Sequence, residues 1–215
     1  PASGTPLTAR WATRCRGRLR RPTPDRRDVH TSGGALVTEN GAPPTRSRTP
    51  IARLIAERSL VGADLVGRNL TGRNLRGQDL TGANLSGANL RRADLTGATL
   101  TGACLRNADL TRTTLRDANL DGADLTDARL HQTDIAGTDL GKAIVVGAKL
   151  WGCDLSGRTF RGQDLRGVDF WRSDLTDADF TAANLSGARF RATTLTGATF
   201  AEAILTGTSG IAHLA

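Results

Sequence analysis

The chain has 215 residues, of which 38% are hydrophobic but only 4% aromatic, with no Met and no Tyr, and this excludes a conventional globular core of large side chains. Its formal net charge of +8 lies wholly in residues 1–58, where 12 Arg face Asp25, Asp28, Glu39 and Glu57, while residues 59–215 hold 17 Lys+Arg and 17 Asp+Glu. The basic balance is therefore a property of the N-terminal segment, and the scattered Cys15, Cys104 and Cys153 make neither a CxxC pair nor a disulfide framework.

The chain begins with Pro1 rather than Met, which points to a fragment or a processed product. Residues 1–48 are rich in Arg, Pro, Thr, Ser and Gly and show no apolar period, so a disordered basic tail is expected there. Arg14–Arg27 is arginine-dense with no hydrophobic stretch after it, a poor secretory signal, and no apolar run reaches membrane-spanning length. A cytoplasmic protein without a membrane span is expected. In residues 49–58, Thr49 suits a helix cap, Pro50 a first turn, and Ile51, Leu54 and Ile55 share one face. That spacing predicts a short helix covering the first open edge of whatever follows.

From Leu60 to Leu205 a hydrophobic residue occupies every fifth position, thirty sites in all: 23 Leu, five Phe, Ile135 and Val145. A period of five fits neither the 3.6 of a helix nor the 2 of a strand, and marks a stacked repeat over residues 59–207, with 208–215 left as a C-terminal tail. Two before the centre the residue is small in 23 of 29 units, just before it Asp or Asn stands in 18 of 29, and two after it Gly fills 18 of 30. The small residue lets opposite walls approach, Asp and Asn hold a turn by bonding to backbone, and Gly tolerates the turn's dihedrals.

Units such as Ala83-Asn84-Leu85-Ser86-Gly87 and Ala93-Asp94-Leu95-Thr96-Gly97 make a pattern A(D/N)LxG that closely resembles the pentapeptide-repeat family. The resemblance implies an all-β fold, a right-handed quadrilateral β-helix of about 7.5 coils at four units per coil. At roughly 4.8 Å per stacked strand the rod would be about 36 Å long. Some members of that family are thought to mimic DNA and protect gyrase from quinolones. Duplex DNA carries about one charge per 1.7 Å of axis, whereas the only acidic zone here, Asp109–Asp139, sets seven Asp against Arg112, Arg116 and Arg129. The gyrase-binding members also dimerise through a C-terminal helical element, and only Thr206–Ala215 follows the last unit here.

Twenty residues per coil puts Phe160, Phe180 and Phe200 on one wall and Phe170 and Phe190 on the opposite one, so the C-terminal half should be the stiffer. Five of the six exceptions to the small-residue rule are polar: Arg68, Arg73, Gln78, Arg158 and Gln163. A buried unpaired Arg is costly, so these coils must open or steer the side chain out, and Arg158 and Gln163, mid-rod, mark a kink or widened turn.

The same folding brings His131, Trp151, Trp171 and Arg191 into one exposed column, with Asp134, Asp154 and Asp174 along the same wall. Trp and Arg dominate interface hot spots, so this is a candidate partner-binding stripe, against the alternatives that the tail folds over the two Trp or that the rings merely shield the wall. His30, His131 and His213 lie far apart, and no nucleophile–base set or phosphate loop is present, so no catalytic residue, cofactor or metal site is assigned. Cys153 falls on an inward site and Cys104 on an outward, oxidisable one.

The expectation is a non-enzymatic rod that scaffolds protein–protein contact, its partner unidentified, with no specific nucleic-acid role. The alternatives are the gyrase-binding DNA mimic and a structural module of a larger protein. The apolar C-terminal edge also suits an end-to-end homodimer.

Overall fold

The computed structural model describes Ile55 and residues 60–211. The expected tail 1–48, all of the expected helix 49–58 except Ile55, and the last four residues lie outside the described residues.

Parallel bridges join residues twenty apart, from Asp64–Asn84 to Arg189–Ser209, so four pentads make one coil and each coil sits directly on the last. Outside one seam the coils are knitted by the same two bonds: the central N–H donates upward, as from Leu85 to the Cys104 carbonyl (2.7 Å), and the preceding N–H donates downward, as from Asn84 to the Ala63 carbonyl (2.9 Å). The corners are two-residue turns closed by bonds such as Ala88 N–H to Leu85 carbonyl, 2.9 Å. The residue two after each centre takes positive φ everywhere except Lys142. Gly fills most of these corners, and eleven non-Gly residues accept the strain.

Asp and Asn before the centre do what their short side chains allow. Asn84 Oδ1 accepts from the Ser86 N–H at 3.2 Å and its hydroxyl at 2.7 Å, and Asp174 does the same with Thr176. The core is the stacked Leu lattice with Ala between, nearly all of it inaccessible from Leu60 to Leu195. The Phe ladders form as the 20-residue coil requires: Phe160–Phe180, Phe180–Phe200 and Phe170–Phe190 stack at 5.0–5.1 Å, and rings on opposite walls meet edge-on at 5.9–6.2 Å.

One seam interrupts the stack. Among the described residues no bridge joins Asp134, Asp139 or Ile144 to Asp154, Thr159 or Asp164. Arg158 and Gln163 point inward here, each at least partly buried against backbone carbonyls. The guanidinium bonds the carbonyls of Thr138 (2.9 Å) and Ile135 (3.0 Å), and the Gln163 amide nitrogen bonds those of Leu140 (2.7 Å) and Ala143 (3.5 Å). Two of these carbonyls, those of Thr138 and Ala143, are ones the ladder gives up, while those of Ile135 and Leu140 also keep their turn bonds from the Thr138 and Ala143 N–H groups. Near the N-terminal end Gln78 is likewise buried, its Nε2 3.3 Å from the Ile55 carbonyl, while Arg68 is half-buried and Arg73 exposed.

Cys104 corrects an expectation. Its position faces outward, yet the thiol is buried at 3% exposure with Sγ 3.1 Å from Ser86 Oγ, so it is not an open oxidisable site. No described helix is long and apolar enough to cross a membrane.

Candidate interaction surface

The first residue of each corner turn cannot point into the core, because the centre before it already does. His131, Trp151 and Trp171 occupy this position in successive coils and therefore come into contact. His131 and Trp151 stack face to face, centroids 4.2 Å apart and planes 1° from parallel. Trp171 meets Trp151 edge-on at 5.3 Å and 78°. Lys149 Nζ lies 5.7 Å from the Trp151 ring and Arg172 Cζ 5.3 Å from the Trp171 ring, cation–π arrangements on an amphipathic stack. Arg191 continues the column and is exposed. The three rings are half-buried rather than exposed, since each covers part of the next.

The carboxylates do not share this column. Asp134, Asp154 and Asp174 lie on the next face round the corner, where Asp134 pairs with Arg116 at 2.9 Å and Asp154 and Asp174 accept from Ser156 and Thr176. Asp154 is held below the ordinary carboxylate range chiefly by the Ser156 hydroxyl and backbone bonds, with Arg158 adding its charge. Burial pushes the His131 imidazole down, Asp109 pulls it up, and Lys149, Arg129 and Arg91 push it down again, so it is neutral near pH 7. His131 Nε2 and Trp151 Nε1 are buried without a hydrogen-bond partner among the described residues.

Behind the corner runs a second column that sequence reasoning missed. Thr113, Thr133, Cys153, Ser173 and Thr193 stand at 20-residue intervals on inward small-residue sites. Each donates to the central carbonyl 23 residues earlier: Leu90 at 2.7 Å, Leu110 at 2.8 Å, Leu130 at 2.9 Å, Leu150, and Phe170 at 2.9 Å. Those carbonyls belong to the residues just before Arg91, Thr111, His131, Trp151 and Trp171, so the rail clamps the turn carrying the aromatic column. The signal was present in the sequence as five hydroxyl or thiol residues in register where other columns hold mostly Ala, with Thr138 making the same bond singly to the Leu115 carbonyl. Cys153 is inside this rail, and its burial raises the thiol to about 11.

Arg91, Thr111, Arg112, His131, Trp151 and Trp171, with their neighbours, line an open groove of about 530 Å³. Arg112 Nε bonds Gln132 Oε1 across two coils at 3.0 Å and forms part of its rim. Among the described residues no three His, Cys, Asp or Glu side chains gather to hold a metal ion.

Coils of one length, stacked in register and carrying chemistry only on their outer faces, define a β-helical repeat protein with a surface site. The pentapeptide-repeat model matches eight copies across residues 59–141 and 143–209, in overlapping segments. The chain belongs to the pentapeptide-repeat family. Among solved structures it is similar to the pentapeptide repeat protein alr5209 from Nostoc Pcc 7120, at 36% identity over 48% of this chain and 79% of that one, with a TM-score of 0.39. It is also similar to HetL, a pentapeptide repeat protein involved in heterocyst differentiation regulation from the cyanobacterium Nostoc sp. strain PCC 7120, at 27% identity over 74% and 92%, TM-score 0.24. A trypsin-treated form of QnrB1, a plasmid-mediated fluoroquinolone resistance protein, is 19% identical over 63% and 86%, TM-score 0.36. No curated protein matches the chain.

Proposed function

We propose that this pentapeptide-repeat rod is a non-enzymatic scaffold that holds a protein partner on the corner of His131, Trp151, Trp171 and Arg191, with Asp134, Asp154 and Asp174 bordering the contact. One observation carries the reading. The His131–Trp151 stack leaves an imidazole nitrogen and an indole N–H buried without a partner among the described residues, at about 1–3 kcal/mol each. Rings placed only to shield a wall would not need polar atoms there. The hydroxyl rail supports it further, since it stiffens the one corner that carries aromatics.

A pull-down with the Trp151→Ala/Trp171→Ala variant tests it. Partner recovery should fall at least about tenfold, as expected for hot-spot rings, and unchanged recovery removes the stripe from consideration. The DNA-mimic reading finds less support, because the rod's charges cancel and no strip of it approaches one negative charge per about 1.7 Å. The Gln78 amide nitrogen donates to the Ile55 carbonyl, which sets Ile55 against the first coil. The apolar Ile204 and Leu205, 50% and 36% exposed, support end-to-end pairing of two copies, which sedimentation at rising concentration tests.

A further inference from the structure

We infer that the partner seated on this corner presents a carboxylate-rich, extended protein segment laid along the rod axis. The inference rests on the interaction surface proposed above and names the chemistry of what it holds.

The repeat region is neutral only in sum. Each coil divides into four strips, a face and the corner that follows it, and charge is not shared equally among them. The strip running from Leu70 to Phe190 holds nine of the seventeen cations and only Asp109 and Asp169 of the seventeen acids. The other three strips together keep eight cations and fifteen acids. The basic strip is the one that carries His131, Trp151 and Trp171. Arg92, Arg112, Arg129, Arg172, Arg189 and Arg191 are all exposed along it. At about 4.8 Å per coil, successive cations stand within reach of the carboxylates of one extended chain.

Two features choose a protein segment over a nucleic acid. Bases bind such surfaces by stacking on open ring faces. Here the faces are already engaged: His131 lies flat on Trp151, Trp171 meets its edge, and Lys149 and Arg172 sit over the indoles. Arg and Trp side by side are instead the residues that anchor protein interfaces. The bordering face, with Asp134, Asp154 and Asp174, repels an anionic segment that strays round the corner and so confines it to the strip.

The chain contains two lysines, Lys149 in this strip beside Trp151 and Lys142 on another, which makes the test internal. The full chain is mixed with an N-acetylated peptide of alternating Glu and Ser, and a carbodiimide joins probe carboxylates to lysine amines. Coupling should favour Lys149 over Lys142 by about tenfold, and should weaken as salt screens the strip. Random coupling would favour Lys142, whose side chain is 68% exposed. The variant Arg112→Glu/Arg172→Glu/Arg189→Glu should lose the Lys149 product, while Arg116→Glu/Arg161→Glu, on other strips, should keep it. Equal coupling at both lysines, or a Lys149 product that survives the triple change, overturns the inference. So does stronger competition by oligo-dT than by free peptide, which would put a nucleic acid on the strip. Were Trp151→Ala/Trp171→Ala to abolish partner recovery while coupling stayed indifferent to charge, the surface would stand and only its acidic occupant would fall.

Discussion

The coils from Leu60 to Leu130 and the seam between Ile135 and Asp164 obey the same apolar period, yet the first lack only the Asn119–Asp139 bridge of their ladder. Ile135, Leu140 and Val145 are 2%, 4% and 1% exposed, nearly as buried as the Leu of the lower coils. Between Asp134 and Asp154 and between Asp139 and Thr159, however, the bridges are gone. Gly122 N–H, which by the regular offset would reach residue 141, bonds the Lys142 carbonyl instead, a slip of one residue. Part of the difference lies two residues before the centre. Just before Thr159 and Asp164 the small residue is replaced by Arg158 and Gln163, which bond carbonyls of the coil below, whereas the Asp134–Asp154 break keeps a small residue, Cys153. The large side chains stay buried across all of these breaks, so their burial sets the coil whether or not the ladder closes.

The largest effect should come from the stack above the seam. Phe180 touches Phe160, Phe200, Phe170 and Phe190 and is fully buried. Phe180→Ala should cost about 3–5 kcal/mol. Since the seam couples the two stacks weakly, its denaturant unfolding should split into two transitions, as nearest-neighbour repeat energetics allow. Leu100→Ala should unfold the lower stack first instead. A single cooperative transition in both variants would mean the seam transmits as well as any laddered junction.

Arg158→Ala/Gln163→Ala sharpens the comparison directly, since it restores the residue found at most other coils. The ladder should close, with the Leu140 and Thr159 amides exchanging more slowly and stability rising by about 1–2 kcal/mol, the usual gain from a consensus change. Lower stability would show that the guanidinium is a strut, and that the Ile135 and Thr138 carbonyls depend on it.

The two buried thiols give a milder probe. Cys104 lies in the laddered region and Cys153 at the edge of the seam. In mild denaturant Cys153 should be alkylated about tenfold faster, a difference near 1.4 kcal/mol in opening. The Cys153 thiol, raised by burial from its ordinary 9.0 to about 11, is bound to its proton more tightly in the folded chain. Its contribution to stability is therefore whole below about 9 and is lost as pH climbs from there to about 11. An alkaline melt series with Cys153→Ser as the reference checks the sign.

Much of this was legible at the level of the pentad. The period, taken with the four units per coil that the family resemblance implies, places the Phe ladders and the aromatic column, because stacking at a fixed coil length leaves a side chain no other neighbour. Asx turns follow from Asp and Asn at one register. What one-dimensional reading lost was anything summed across coils. Net charge counted along the chain cancels, although the fold sorts it into one basic strip and three acidic ones. The placement of Asp134, Asp154 and Asp174 on the aromatic wall failed because a two-residue corner intervenes. The hydroxyl rail was passed over since Thr, Ser and Cys each look like ordinary small residues until they are stacked.

The smallest effects test whether strain at the corners is local. Gly97 and Gly157 have φ of +63° and +62°, and a Cβ on either would meet nothing within 4 Å. Gly97 lies in a laddered coil and Gly157 on the upper lip of the seam, yet both amides keep their bonds, to Arg116 at 2.8 Å and Thr176 at 2.7 Å. Alanine at either should cost only the left-handed conformation, about 1–2 kcal/mol. Ala182, at φ 58° in the Phe-filled stack, already bears that cost, so Ala182→Gly should return about 1 kcal/mol. Equal and opposite changes in melting free energy place the strain in the turn itself. A distinctly larger loss at Gly157 would mean that the open lip leans on its corner, and the seam would then be held by its turns as well as by Arg158 and Gln163.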